Sequence, residues 1–172
     1  MSQAVGRALE AAMQAGAKKD WVAARAKLDE ARRVQHPTEF DLFEIDDSAS
    51  LIAVNTGDHA TALASYEQMI ASPFFTTWPT PDEQRAMLLN AMILANEAGR
   101  FDETIAFGKR LAPLGPLSES AAVALAFGYF GAHDYASAEA VAQKAVDAAV
   151  AAGRQPYDSA VQIAQKSKAN LQ

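Results

Sequence analysis

Apolar and polar residues nowhere settle into strict alternation along this chain, and the β-branched residues are scattered, so no strand pattern competes with helix. The pattern predicts helices over about 3–16, 21–34, 38–56, 59–72, 81–98, 101–112, 118–130, 135–152 and 156–169. Punctuation falls between them: Pro37, Gly57-Asp58, Ser72-Pro73, Pro113-Leu114-Gly115-Pro116 and Gly153. Thr38 with Asp41 makes a partial capping box. Thr80-Pro81-Asp82-Glu83 is the strongest helix start, with a capping hydroxyl, a proline suited to the first turn and a glutamate that can reach back.

A cadence runs through these elements. A short turn, a ring residue and a small residue three places later recur at Asp20-Trp21…Ala24, Asp58-His59…Ala62, Arg100-Phe101…Thr104 and Asp134-Tyr135…Ala138. The ring residues are spaced 38, 42 and 34 apart. A recurring period near ~34 residues marks an array of helical hairpins, each too small to bury its own apolar face. The extra residues of the first two spacings fall most easily in the interhelix loops at 35–38 and 73–81, where insertions cost least.

Composition narrows the chemistry. The 172 residues are 50% hydrophobic but only 8% aromatic, so the core must be built from small side chains, alanine above all. The formal net charge is −6 and no basic stripe appears, which argues against nucleic acid as partner. Without cysteine there is no disulfide, thiolate nucleophile or thiolate metal site. No apolar run approaches the ~18 residues of a membrane span. No signal-peptide pattern is visible at Met1.

The segment from Leu88 to Phe101 resembles the first helix and turn of a tetratricopeptide repeat. Leu88, Ala91, Met92 and Ala95 fill the first-helix slots of a third repeat, and Ala122, Leu125, Ala126 and Tyr129 those of a fourth. Second-helix slots are matched by Ala24, Leu28 and Ala31, by Ala62, Tyr66 and Met69, and by Ala138, Ala142 and Ala145. The third repeat departs at Thr104 and Gly108, and the second carries Asp46 where a large apolar residue is usual. The resemblance implies an all-α, right-handed α-solenoid: one domain over 1–172, with repeats at about 5–37, 39–73, 81–116 and 118–152 and a C-terminal helix at about 156–170. The chain is also similar to Ala-rich bacterial repeat proteins through Val5-Gly6-Arg7-Ala8-Leu9 and the stretch from Tyr66 to Pro73. That likeness implies a periplasmic or otherwise exported location, with a cytoplasmic one the alternative.

Candidate chemistry is sparse. His36, His59 and His133 are spread along the array as turn and loop residues, and no triad order, metal-ligand spacing or phosphate loop accompanies them. No catalytic residue, metal site or cofactor is expected. Glu39, Asp41, Glu44, Asp46 and Asp47 read as a solvated acidic face or as a contact for a basic partner.

In a tetratricopeptide stack the first helix of each pair lines the concave face. The matching positions are Glu44, Asp47, Ser48, Leu51, Val54 and Asn55, then Leu89, Asn90, Ile93, Asn96 and Glu97, then Val123, Phe127 and Phe130. Asn90 occupies the slot of the family's peptide-clamping asparagine. The Lys or Arg that would complete a carboxylate clamp are replaced by acidic or apolar residues. The apolar members are either core or ligand contacts, and exposure separates the two. Phe74, Phe75 and Trp78, in a proline-bounded segment, either tuck over their own repeat or anchor a partner. The expected role is a non-catalytic scaffold binding a protein, peptide or helix with basic residues in the groove. The alternative is a self-associating structural module.

Overall fold

In the computed structural model, which describes residues 1–172, nine α-helices follow one another and no strand occurs. They are α1 (Gln3–Ala17), α2 (Trp21–Arg32), α3 (Glu39–Asn55), α4 (His59–Ala71), α5 (Pro81–Glu97), α6 (Phe101–Leu111), α7 (Glu119–Gly131), α8 (Tyr135–Ala151) and α9 (Asp158–Asn170). The chain forms two compact units, Met1–Gln84 and Arg85–Gln172.

The cadence has a backbone cause. Lys19, Gly57, Gly99, His133 and Gly153 all take left-handed φ values between 59 and 71°. In each case the next N–H turns back to a carbonyl five residues earlier: Asp20 to Ala15 (3.0 Å), Asp58 to Ala53 (2.9 Å), Arg100 to Ala95 (2.8 Å), Asp134 to Tyr129 (2.9 Å) and Arg154 to Ala149 (2.9 Å). These bonds close the preceding helix. The carboxylates of Asp20, Asp58 and Asp134 then accept from the backbone N–H of Ala23, Thr61 and Ser137, capping the next helix. Left-handed residue, cap and ring residue are thus three consecutive steps of one turn. His133 is its left-handed member and His59 the first residue of α4.

In the first unit α1 packs on α2 and also reaches α3, while α3 packs on α2 and α4. Val5, Leu9, Leu28, Ile45 and Ile52 interleave with Ala12, Ala24, Ala31 and Ala49. Large side chains on one helix sit against alanines on the next, which lets short hairpins reach dense packing. The Thr38 cap is a complete capping box: Thr38 Oγ accepts from Asp41 N–H (3.0 Å) and Asp41 accepts from Thr38 N–H (2.9 Å). Asp41 also accepts from Ser2 N–H (2.7 Å) and is fully buried. Burial pushes its pKa up, but these hydrogen bonds outweigh that and hold it below the usual value. Asp41 is therefore no part of a solvated acidic face.

Residues 73–76 form a short 3-10 turn rather than an irregular loop, opened by the Ser72 hydroxyl accepting from Phe74 N–H (3.2 Å). At the start of α5, Glu83 N–H donates to Thr80 Oγ (3.3 Å) and Thr80 N–H to Glu83 (2.7 Å).

The second unit packs by close approach. A Cβ on Gly128 would stand 2.6 Å from Thr104 Cγ2, one on Gly108 2.5 Å from Leu125 Cδ1, and one on Gly131 2.5 Å from the Phe101 ring. The departures at Thr104 and Gly108 are thus compensated: Thr104 seats over Gly128 and Leu125 over Gly108, bringing α6 and α7 together. Arg85 donates to the carbonyls of Leu114 (2.9 Å) and Pro116 (2.6 Å), fixing the proline–glycine break before α7. At the C-terminal end α9 packs on both α7 and α8 around Ala126, Ala138, Ala142, Ile163 and Ala164. The final helix begins at Asp158, not Pro156, because Tyr157 is held outside it by donating its N–H to Glu119 (2.6 Å).

Candidate functional site

Helix α3 has eight of its seventeen residues buried, and apart from Leu42 its exposed large apolar residues lie on one stripe. Glu44, Asp47, Leu51 and Val54, spaced three and four apart, share a face. Leu51 and Val54 are 46% and 48% exposed, Asp47 is exposed and Glu44 half-buried. Ser48, from the same set, is buried.

The acidic end of this stripe meets the aromatic segment. Trp78, 60% exposed, packs edge-on against Phe40 of α3 with ring centroids 4.6 Å apart, and Phe74 packs on the same ring at 5.3 Å. Phe75 is buried. The segment therefore divides its work: Phe75 fills the interior, Phe74 covers Phe40, and Trp78 keeps most of its surface in solvent. Desolvation and the neighbouring Asp47 raise the pKa of Glu44, with the Trp78 indole as donor pulling it partly back. Asp47 is raised by desolvation and by Glu83. Asp47 is thus the shared neighbour of two carboxylates, raising Glu44 and being raised by Glu83. Asp46 points to a different side of α3, where burial raises its pKa to about 6 despite Arg32.

Phe40 and Glu83 were not among the sequence-derived candidates. Glu83 has a sufficient local role as a capping residue, which masks its place beside Asp47. Phe40 lies in the first turn of α3, next to the cap, where only the fold shows what it touches.

In the second unit Asn90 is exposed, Ile93 is 39% exposed and Leu89 is half-buried. Asn96 is committed elsewhere: its amide donates to the Ala124 carbonyl of α7 (2.8 Å), and its Oδ1 is enclosed. On α7 Phe127 is 48% exposed, whereas Val123 and Phe130 pack against the α7–α8–α9 core. Phe130 also stacks edge-on with Tyr135 at 5.3 Å. Exposure therefore separates Leu51, Val54, Ile93 and Phe127, which face solvent, from Val123 and Phe130, which serve the interior. The histidines stay apart on three different turns, with His133 Nδ1 2.8 Å from the Tyr135 hydroxyl. No group of three or more His, Asp or Glu is placed to hold a metal, and no helix is long and apolar enough to cross a membrane.

No protein-family model and no curated protein matches the chain. Solved structures do. MamA 41-end from Desulfovibrio magneticus RS-1 superposes with a TM-score of 0.61 at 12% identity, over 99% of this chain and 97% of that one. The MamA RS-1 ArsTM double mutant gives 0.62 at 14% identity, over 86% and 76%. MamA is a tetratricopeptide-containing helical solenoid. This chain therefore has an all-helical, tetratricopeptide-like fold. At these identities the likeness concerns fold and carries no residue role.

Proposed function

We propose that the protein is a non-catalytic interaction module that holds a peptide or amphipathic helix on the open faces of its first-position helices. The observation that carries this reading is the α3 stripe. Leu51 and Val54 stand nearly half exposed on one face of α3, beside Glu44 and Asp47, which form no ion pair with Lys or Arg, the N-terminal ammonium being the cation that acts on Glu44. Apolar area left open and rimmed by charge is what partner-binding surfaces use. Helix-in-groove and extended-peptide recognition both read such stripes through anchors at three- and four-residue spacing. The fold likeness to a tetratricopeptide solenoid supports a scaffold role. The partner chemistry follows from the acids: Lys or Arg to meet Glu44 and Asp47, and aliphatic side chains to cover Leu51 and Val54. In the second unit, taken by itself, Ile93 and Phe127 are also exposed apolar residues.

The test is selection from a random peptide display library on the purified protein, with Leu51→Glu as comparison. Selected peptides should combine basic and aliphatic residues, and Leu51→Glu should lose them while keeping the wild-type circular dichroism. Absence of any enriched peptide, or retention by Leu51→Glu, defeats the reading. Concentration-dependent light scattering without peptide enrichment would favour self-association.

A further inference from the structure

A second feature lies wholly in the second unit and is independent of the α3 stripe. A cleft of about 420 Å³ opens between the first turn of α7 and one side of α8. Its floor is apolar and mostly small: Ala122, Val141, Ala145 and Ala148, with Leu117 at the approach. Three alanines stand where larger residues would close the gap between two helices, so the hollow is a consequence of sequence. Its volume falls at the lower end of the ~300–1,000 Å³ of small-molecule sites.

The polar groups at its edge are unequal. Glu119 is almost completely buried, and both its oxygens are engaged, by Arg154 Nη1 (3.0 Å) and by Tyr157 N–H (2.6 Å). This clasp ties the turn after α8 to the start of α7 and leaves Glu119 no spare charge. Lys144, also on the lining, has no acidic partner. With one carboxylate neutralised by Arg154, Lys144 leaves this edge positive on a chain of net charge −6. An apolar hollow with an unpaired ammonium at its mouth suits a ligand with an apolar body and an anionic end.

We propose that this cleft binds a small aliphatic monocarboxylate, its hydrocarbon chain over Ala122, Ala145 and Ala148 and its carboxylate at Lys144. The experiment is calorimetric titration of the intact chain with sodium octanoate, n-octanol and n-octylamine, all below micellar concentrations. Octanoate should bind saturably at one site, and at least about tenfold more tightly than octanol or octylamine. Ala148→Leu, at an exposed position that leaves the core intact, should weaken octanoate about tenfold or more by filling the hollow. Lys144→Glu should weaken octanoate and improve octylamine. No saturable octanoate binding, equal affinity for octanol, or octanoate affinity unchanged in both variants would each overturn the assignment. Because Leu51→Glu does not touch this cleft, octanoate binding in that variant should match wild type, so the two proposals fail separately.

Discussion

The two units solve one packing problem in opposite ways. In the first, aliphatic side chains such as Leu9, Leu28 and Ile52 reach across to alanines, and the space between helices is filled by side-chain volume. In the second, Gly108, Gly128 and Gly131 remove volume, so α6 and α7 close onto each other around Thr104, Leu125 and Phe101. The same hairpin geometry therefore depends on bulk in one region and on its absence in the other. Deletion should injure the first unit, and addition the α6–α7 contact of the second.

That contrast is sharpest in a pair of substitutions. Leu28→Ala, at a side chain only 4% exposed, removes a filled volume and should cost about 2–5 kcal/mol of unfolding free energy in urea titration. Gly128→Ala adds one methyl against the stiff β-branched side chain of Thr104. Overpacking of about 1–3 kcal/mol is offset in part by a helix-propensity gain of about 1 kcal/mol, leaving a net loss. Gly108→Ala would bring its Cβ to 2.5 Å from one methyl of the buried Leu125 and 3.2 Å from the other methyl and Cγ; leucine is unbranched at Cβ and turns more readily than Thr104, so the loss should be smaller than for Gly128→Ala. If neither substitution cost stability, close approach would not be what holds α6 to α7.

Much of this was legible beforehand because its causes are local. A helix cap, a left-handed turn and a ring residue occupy adjacent positions, so the turns at Asp20, Asp58 and Asp134 could be read directly from sequence. Helical spacing also puts Glu44, Asp47, Leu51 and Val54 on one face, but whether that face is core or solvent stayed open until the fold gave their exposure. What stayed hidden depends on residues distant in the chain. Ser2 buries itself against Asp41, Asn96 holds the Ala124 carbonyl, and Glu119 collects Arg154 and Tyr157. Composition treats these as surface polar residues; only tertiary placement turns them into ties. The oddities at Thr104 and Gly108 show the same limit, because each is explained by a partner some twenty residues away.

The first unit also carries an electrostatic signature. Burial raises the Asp46 pKa from 3.8 to about 6, so between those values the folded chain holds a proton that the unfolded chain has lost. Its contribution is full below pH 3.8 and disappears as pH rises through about 6. Asp41 works the other way: its lowered pKa gives stability that is present above 3.8 and lost as acid protonates it. Asp46→Asn should therefore gain on wild type as pH increases from 4 to 7, while the two converge in acid. Parallel pH profiles of unfolding free energy for the two proteins would show that Asp46 is not desolvated.

The smallest effect isolates backbone from packing. Gly57 and Gly99 have nothing within 4 Å of a notional Cβ, so replacing either with alanine changes only the cost of a left-handed φ of 71°. Each should lose about 1 kcal/mol. Lys19 already carries that cost at φ 59°, and Lys19→Gly should recover part of it, about 0.5 kcal/mol after glycine's greater unfolded-state entropy is subtracted. His133→Gly removes the same strain at φ 63° but also the contact with the Tyr135 hydroxyl, so its gain should be smaller than that of Lys19→Gly. The comparison turns on one inequality: equal or greater stabilisation by His133→Gly would mean that the His133–Tyr135 contact adds nothing, and that the turns of the two units are energetically alike.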